Sequence, residues 1–139
     1  GDRVLVIGGG TTGLETADFL AQQGKEVVVV EQLKRAGMDM GETVRWHLMH
    51  RLGEQKVKIF TSTEVKEICG QGVVVARDGD EETWKGFDTI VLAAGVKPRN
   101  ELVKEIEARV KEVYVIGDAA KPRKGLEAIR EGAEIGRKI

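Results

Sequence analysis

Two unbroken apolar runs, residues 4–7 and 27–30, frame the opening of the chain. A run with no polar alternation is buried on both faces, as strands of a parallel sheet are. Between them Leu14, Ala17, Phe19, Leu20 and Ala21 fall mostly on one helical face, with Glu15, Asp18, Gln22 and Gln23 mainly outside it. This predicts a helix from near Thr11 to Gln23, stopped by Gly24. After a polar loop at 32–37, Asp39-x-x-Glu42 has the form of a capping box and predicts a second helix to about Leu52, striped by Val44, Leu48, Met49 and Leu52. Residues 56–60 read as a third parallel strand. The period then shortens: 63–69, 72–77 and 82–87 read as three short strands joined by turns at 70–72 and 78–80, the latter a strong Asp-Gly hairpin signal. Residues 88–93 form a fourth buried run, Asn100 a cap for a short helix over 101–108, residues 113–116 a fifth strand, and 124–137 a last helix.

The expected architecture is α/β, with a mainly parallel five-stranded sheet in the order 3-2-1-4-5. A three-stranded antiparallel meander replaces the helix of one crossover. Residues 1–112 are expected to form one nucleotide-binding unit, with the strand and helix of 113–139 packed on the same sheet.

The turn between the first strand and first helix is Gly8-Gly9-Gly10-Thr11-Thr12-Gly13, and Glu31 ends the second strand 18 positions after Gly13. G-x-G-x-x-G between a strand and a helix, followed about 20 residues later by an acid, is a dinucleotide fingerprint with a physical reason for each part. Gly8 permits the tight turn, Gly10 lets a pyrophosphate approach the backbone, and Gly13 lets helix and strand pack closely. The first amides of the helix, from Thr11 onward, present donors and the positive end of the dipole to that pyrophosphate. Glu31 can accept from both hydroxyls of a ribose.

Composition narrows the function. The 139 residues carry 22 Lys and Arg against 23 Asp and Glu, a net charge of −1, so there is no electrostatic case for nucleic acid or an anionic membrane. Cys69 is the single cysteine, which excludes an internal disulfide and predicts a cytoplasmic setting. No apolar run approaches the length of a membrane span. The first strand starts almost at residue 1, which predicts a domain excised from a longer polypeptide. His47 and His50 lie i, i+3 on a helix with no acid or cysteine at matching spacing, so a wet helix face is expected rather than a metal site. No residue is singled out as a general acid, base or nucleophile.

The glycine motif with Leu14-Glu15, the acid Glu31, the meander, Val91-Leu92-Ala93-Ala94-Gly95 and Val115-Ile116-Gly117-Asp118-Ala119 together resemble the pyridine nucleotide-disulfide reductase group of flavoproteins. Within it, residues 113–124 are similar to the carboxyl-terminal region of dienoyl-CoA reductase and NADH:flavin oxidoreductase enzymes, which join an old-yellow-enzyme barrel to the reductase fold. The resemblance implies a Rossmann-like FAD/NAD(P)-binding fold in which an NAD(P)H domain is inserted within an FAD domain. It implies that Gly8, Gly9, Gly10, Thr11, Thr12, Gly13, Glu31 and Gln32 serve NAD(P)H, that Ala94 and Gly95 lie beside the nucleotide, and that Val65 packs on adenine. Gly117 and Asp118 would mark the return into the FAD domain, where the aspartate contacts the flavin ribityl chain. The FAD domain's own glycine motif, a redox cysteine pair, iron–sulfur cysteines and the barrel are absent from this chain.

Glu31 favours NAD(H) over NADP(H), because a carboxylate bonded to a ribose diol contributes on the order of 1.5–3 kcal/mol and would repel a 2′-phosphate. Lys34 and Arg35 could offset that only weakly from a solvated loop. The expected partners are a dinucleotide cofactor and the remaining FAD and barrel domains of a parent chain, in which hydride passes from nicotinamide C4 to flavin N5. The alternatives are a self-contained FAD-binding domain and a structural or interaction domain that binds nothing.

Overall fold

The computed structural model describes residues 1–139 and divides into two compact units, Gly1–Gly95 and Val96–Ile139. The first unit is built on a four-stranded parallel sheet. Its strands are β1 (Arg3–Ile7), β2 (Glu26–Val30), β3 (Lys58–Phe60) and β7 (Thr89–Leu92), in the order β3-β2-β1-β7. Helix α1 (Thr11–Gln22) links β1 to β2, and α2 (Glu42–Glu54) links β2 to β3. The crossover from β3 to β7 is the antiparallel meander β4 (Thr63–Cys69), β5 (Gly72–Arg77) and β6 (Asp80–Trp84).

The apolar runs read as two-sided burial because the sheet is covered on both faces. Val4, Val6, Val27 and Val29 point to one face and pack with Leu14 and Ala17 of α1 and Leu48 and Leu52 of α2. Leu5, Ile7, Val28 and Val30 point to the other and meet Val73 and Val75 of the meander. The period of two thus divides one continuous valine run between two cores. Phe60 and Trp84 close the second core edge to face, with ring centroids 4.8 Å apart.

The two helices are locked by a polar clasp. Asp18 is 7% exposed. Its carboxylate accepts two hydrogen bonds from the Arg51 guanidinium, at 2.8 and 2.7 Å, and one each from the Gln22 and Gln55 amides. A nearly buried acid is tolerated when its lone pairs are satisfied in this way. Bonding to Arg51, ahead of Gln22 and Gln55, holds the Asp18 carboxyl below the ordinary carboxylate range.

At the start of α1 the chain is packed too closely for side chains. A Cβ added to Gly13 would lie 1.8 Å from the Gly8 carbonyl oxygen. Gly8 itself has φ +111°, which favours glycine.

Two expectations fail. Residues 113–116 form no strand, and the sheet ends at β7 with four strands rather than five. A strand requires a hydrogen-bonded neighbour; this segment has none and leaves Tyr114 46% exposed. The capping box at Asp39 also fails, since α2 starts at Glu42 after Gly41 with no side-chain cap.

The second unit, taken alone, contains α3 (Leu102–Glu107), a 3₁₀ turn at Gly117–Ala119 and α4 (Gly125–Gly136). Glu131 of α4 accepts from the Gly117 amide at 2.7 Å and pairs with Arg123, and these contacts lower its proton affinity in that order. Leu126 and Ile129, on one side of α4, are each 73% exposed. No helix of the chain is long and apolar enough to cross a membrane.

Two outcomes follow from the packing of α1. Asp18→Asn keeps an acceptor but loses the charge; with Arg51 half-exposed, the cost is about 1–2 kcal/mol at neutral pH. The folded-state carboxyl titrates below its unfolded value of 3.8, so this contribution is present above about pH 4. Denaturant melts of the two proteins should differ at pH 7 and converge as the pH falls below 3.8. For Gly13→Ala, the helix-propensity gain of about 1 kcal/mol is smaller than the clash with backbone, which is expected to cost about 3 kcal/mol. Thermal melting should show a net loss of stability.

Candidate functional site

The carboxyl ends of β1, β2 and β7 open into a cleft of about 450 Å³ within the first unit. Its floor is the glycine turn and its flank is the start of the meander. Backbone pairing fixes the frame: Gly8 donates to the Val30 carbonyl at 2.9 Å and Ala93 to the Ile7 carbonyl at 2.7 Å.

Of the residues expected at a nucleotide site, Gly8, Gly10, Thr11, Thr12, Glu31, Gln32, Val65, Ala94 and Gly95 line this cleft together. Gly9 and Gly13 lie behind the lining: a Cβ on Gly9 would meet the Glu31 side chain at 2.9 Å, and Gly13 packs on Gly8. Gly117 and Asp118 belong to the second unit, where Asp118 accepts from the Arg123 amide at 3.3 Å. Neither Lys34 nor Arg35 is among the residues lining the cleft, and no other lysine or arginine is.

Glu31 is 8% exposed and held by four hydrogen bonds. Its amide donates to the Phe60 carbonyl and its carbonyl accepts from the Thr63 amide. Its carboxylate accepts from the amides of Gly9 and Leu33, both at 2.7 Å. A carboxylate offers about four lone-pair sites, so these two bonds leave it acceptor capacity. The same acid therefore ties the glycine turn to the loop after β2 and can still accept from a ligand's diol.

The mouth of α1 departs most from the sequence reading. Thr11 is the first residue of the helix, and its amide donates to both carboxylate oxygens of Asp39 at 3.0 Å. Leu14 is already bonded within the helix, to the Gly10 carbonyl. Asp39 therefore caps α1 and not α2. Its carboxylate stands over Gly10, where an added Cβ would be 3.4 Å from Oδ2. The loop that delivers it is pinned by the Gly37 amide on the Gly9 carbonyl at 2.7 Å and by Arg45 on the Ala36 carbonyl.

Sequence reasoning also missed Leu33, Thr63 and Glu64 in the lining. Asp39 carried a signal, an acid between Gly37 and Gly41 in the loop after the second strand, but helical spacing alone directed it to the nearer helix. Thr63 and Glu64 carried none, because their place depends on how the meander folds back.

The cleft brings together glycine backbone, the mouth of a helix and a buried acid, the donor and acceptor chemistry that fits a dinucleotide. No group of three or more His, Cys, Asp or Glu is placed to hold a metal ion.

The family model for pyridine nucleotide-disulphide oxidoreductase matches residues 1–132. A metal reductase of Desulforamulus reducens is 30% identical over 94% of this chain and 24% of its own length. An NADH oxidase of Thermoanaerobacter brockii is 35% identical over 96% of this chain and 21% of its own. The solved structure of a 2-naphthoyl-CoA reductase in complex with 2-naphthoyl-CoA is 34% identical, with a TM-score of 0.83 over 100% of this chain and 21% of that one. Histamine dehydrogenase from Rhizobium sp. 4-9, at 22% identity and a TM-score of 0.85, shares the fold over 100% of this chain and 23% of its own. The chain spans about a fifth to a quarter of the length of these relatives. With its glycine turn, acid-ended second strand and meander matched across nearly all its length, the chain belongs to the pyridine nucleotide-disulphide oxidoreductase family, whose members bind FAD and NAD(P)H.

Proposed function

We propose that this chain is the NAD(H)-binding domain of a longer flavin-dependent oxidoreductase, and that its task is to position NADH. The observation that carries this is the placement of Glu31 inside the cleft, with no cationic side chain lining it. A 2′-phosphate would meet the carboxylates of Glu31 and Glu64 with no lysine or arginine in the lining to neutralise it, whereas a ribose diol would meet acceptors.

Under this reading the chain's own residues bind and orient. Gly8 to Gly13 receive the diphosphate, Glu31 and Gln32 the adenosine ribose, Val65 the adenine, and Ala94 and Gly95 the nicotinamide side. Gly117 and Asp118 serve the flavin side of the parent. Bound NADH would supply the hydride that the flavin accepts, and the chemistry belongs to the cofactors. The parent proposed is of the branch that joins an old-yellow-enzyme barrel to the reductase fold. The sequence of residues 113–124, which resembles the carboxyl-terminal region of such enzymes, supports that branch. The setting proposed is the cytoplasm, on the lone Cys69.

Isothermal calorimetry on the chain with NADH, NADPH and FAD tests the reading. NADH should bind at least about tenfold more tightly than NADPH, the scale of one charge-assisted contact. Preference for NADPH would overturn the assignment of Glu31, and tight FAD binding in place of NADH would make this the flavin site instead. Glu31→Ala should weaken NADH and narrow the NADH-to-NADPH ratio; a ratio unchanged by the substitution would show that Glu31 only braces the glycine turn.

A further inference from the structure

The mouth of α1 already holds an anion supplied by the chain itself. Asp39 is 28 positions from Thr11 in sequence yet places both carboxylate oxygens at 3.0 Å from the Thr11 amide. It occupies the space over Gly10, the one residue of the motif whose missing side chain leaves an approach to the backbone. A dinucleotide's diphosphate needs the same amide and the same space. Both groups are negative, and no lysine or arginine lines the cleft to neutralise their approach. A phosphate oxygen on the Thr11 amide would have to displace the Asp39 carboxylate.

We propose that Asp39 is a built-in competitor for the diphosphate of the cofactor and thereby sets the chain's affinity for it. This rests on the reading of the cleft as a dinucleotide site. The loop itself stays anchored, through the Gly37 amide on Gly9 and the Ala36 carbonyl on Arg45. What must leave is the Asp39 side chain, so the exchange needs no unfolding of the loop. While Asp39 is docked the site is closed to phosphate, and the apparent affinity is reduced by the fraction of molecules in which it is away. The acid also stabilises the ligand-free protein, since it satisfies an amide that would otherwise lack an acceptor.

The test compares wild type with Asp39→Asn and Asp39→Ala by calorimetry, using NADH, ADP and adenosine as titrants. A helix cap's strength corresponds to a factor of roughly three to thirty in an equilibrium, so Asp39→Ala should bind NADH and ADP tighter by about that factor, and Asp39→Asn, which loses the charge but keeps the acceptor, should fall between wild type and Ala. Adenosine carries no phosphate, and its affinity should stay within about twofold. Asn keeps an acceptor for the Thr11 amide and so guards against a variant that fails to fold. In thermal melts Asp39→Ala should start lower than wild type without ligand and gain more from saturating ADP. Variants that fold and bind NADH and ADP no tighter than wild type would overturn the competitor and leave the dinucleotide reading standing. Equal tightening for adenosine would also overturn it, since the acid would then be closing the cleft in general. Absence of NADH and ADP binding by all three proteins would sink both readings.

Discussion

The carboxylate of Glu31 is the constraint on which the site depends. It is buried, and a buried carboxylate must be satisfied where it stands. Here the Gly9 and Leu33 amides satisfy it, while the residue's own backbone is bonded to Phe60 and Thr63. One residue thus joins the glycine turn, the end of β2, the end of β3 and the first residue of the meander. A single side chain ties the glycine turn to the loop after β2. Without it, the turn and the loop after β2 would each have to find other acceptors.

The sheet beneath makes this junction rigid. Its valine runs serve two cores at once, one under the helices and one under the meander. The clasp of Asp18 with Arg51 and Gln55 holds α1 against α2 from the polar side. The mouth of α1 therefore sits on a helix packed against the sheet and tied to α2. A site positioned by packed elements keeps its geometry before any ligand arrives, which lowers the ordering cost of binding.

How much of this was legible in the sequence depends on the range of each interaction. The runs at 4–7 and 27–30, the glycine turn and Glu31 are local patterns, and the structure places them as read. The meander was legible because its hairpins close through nearby turns such as Asp78-Gly79. Residues 113–116 were misread because an apolar run states only that a segment resists water; it does not name the strand that will pair with it. Asp39 was misread for a related reason. A capping box is recognised by spacing along one helix, yet the nearest unsatisfied amide in space was Thr11, on the other side of β2 in sequence. The roles of Thr63 and Glu64 were invisible because no short pattern encodes where a meander folds back.

The electrostatics of the cleft then acquire a direction. Three acids line it, Glu31, Asp39 and Glu64, against no cation. Such a lining is costly for an anionic ligand unless the positive end of a helix and its amides provide the counter-charge. The three acids are not equivalent. Glu31 is consumed in part by its two amides and cannot leave without unmaking the turn. Asp39 holds the helix mouth with its carboxylate, from an anchored loop. The fixed acid suits recognition of a neutral diol, and the one held by a side chain suits exchange with a charged group. On the proposed reading Glu31 bears on both the strength of binding and the choice of nucleotide, whereas Asp39 acts on the phosphates from the helix mouth.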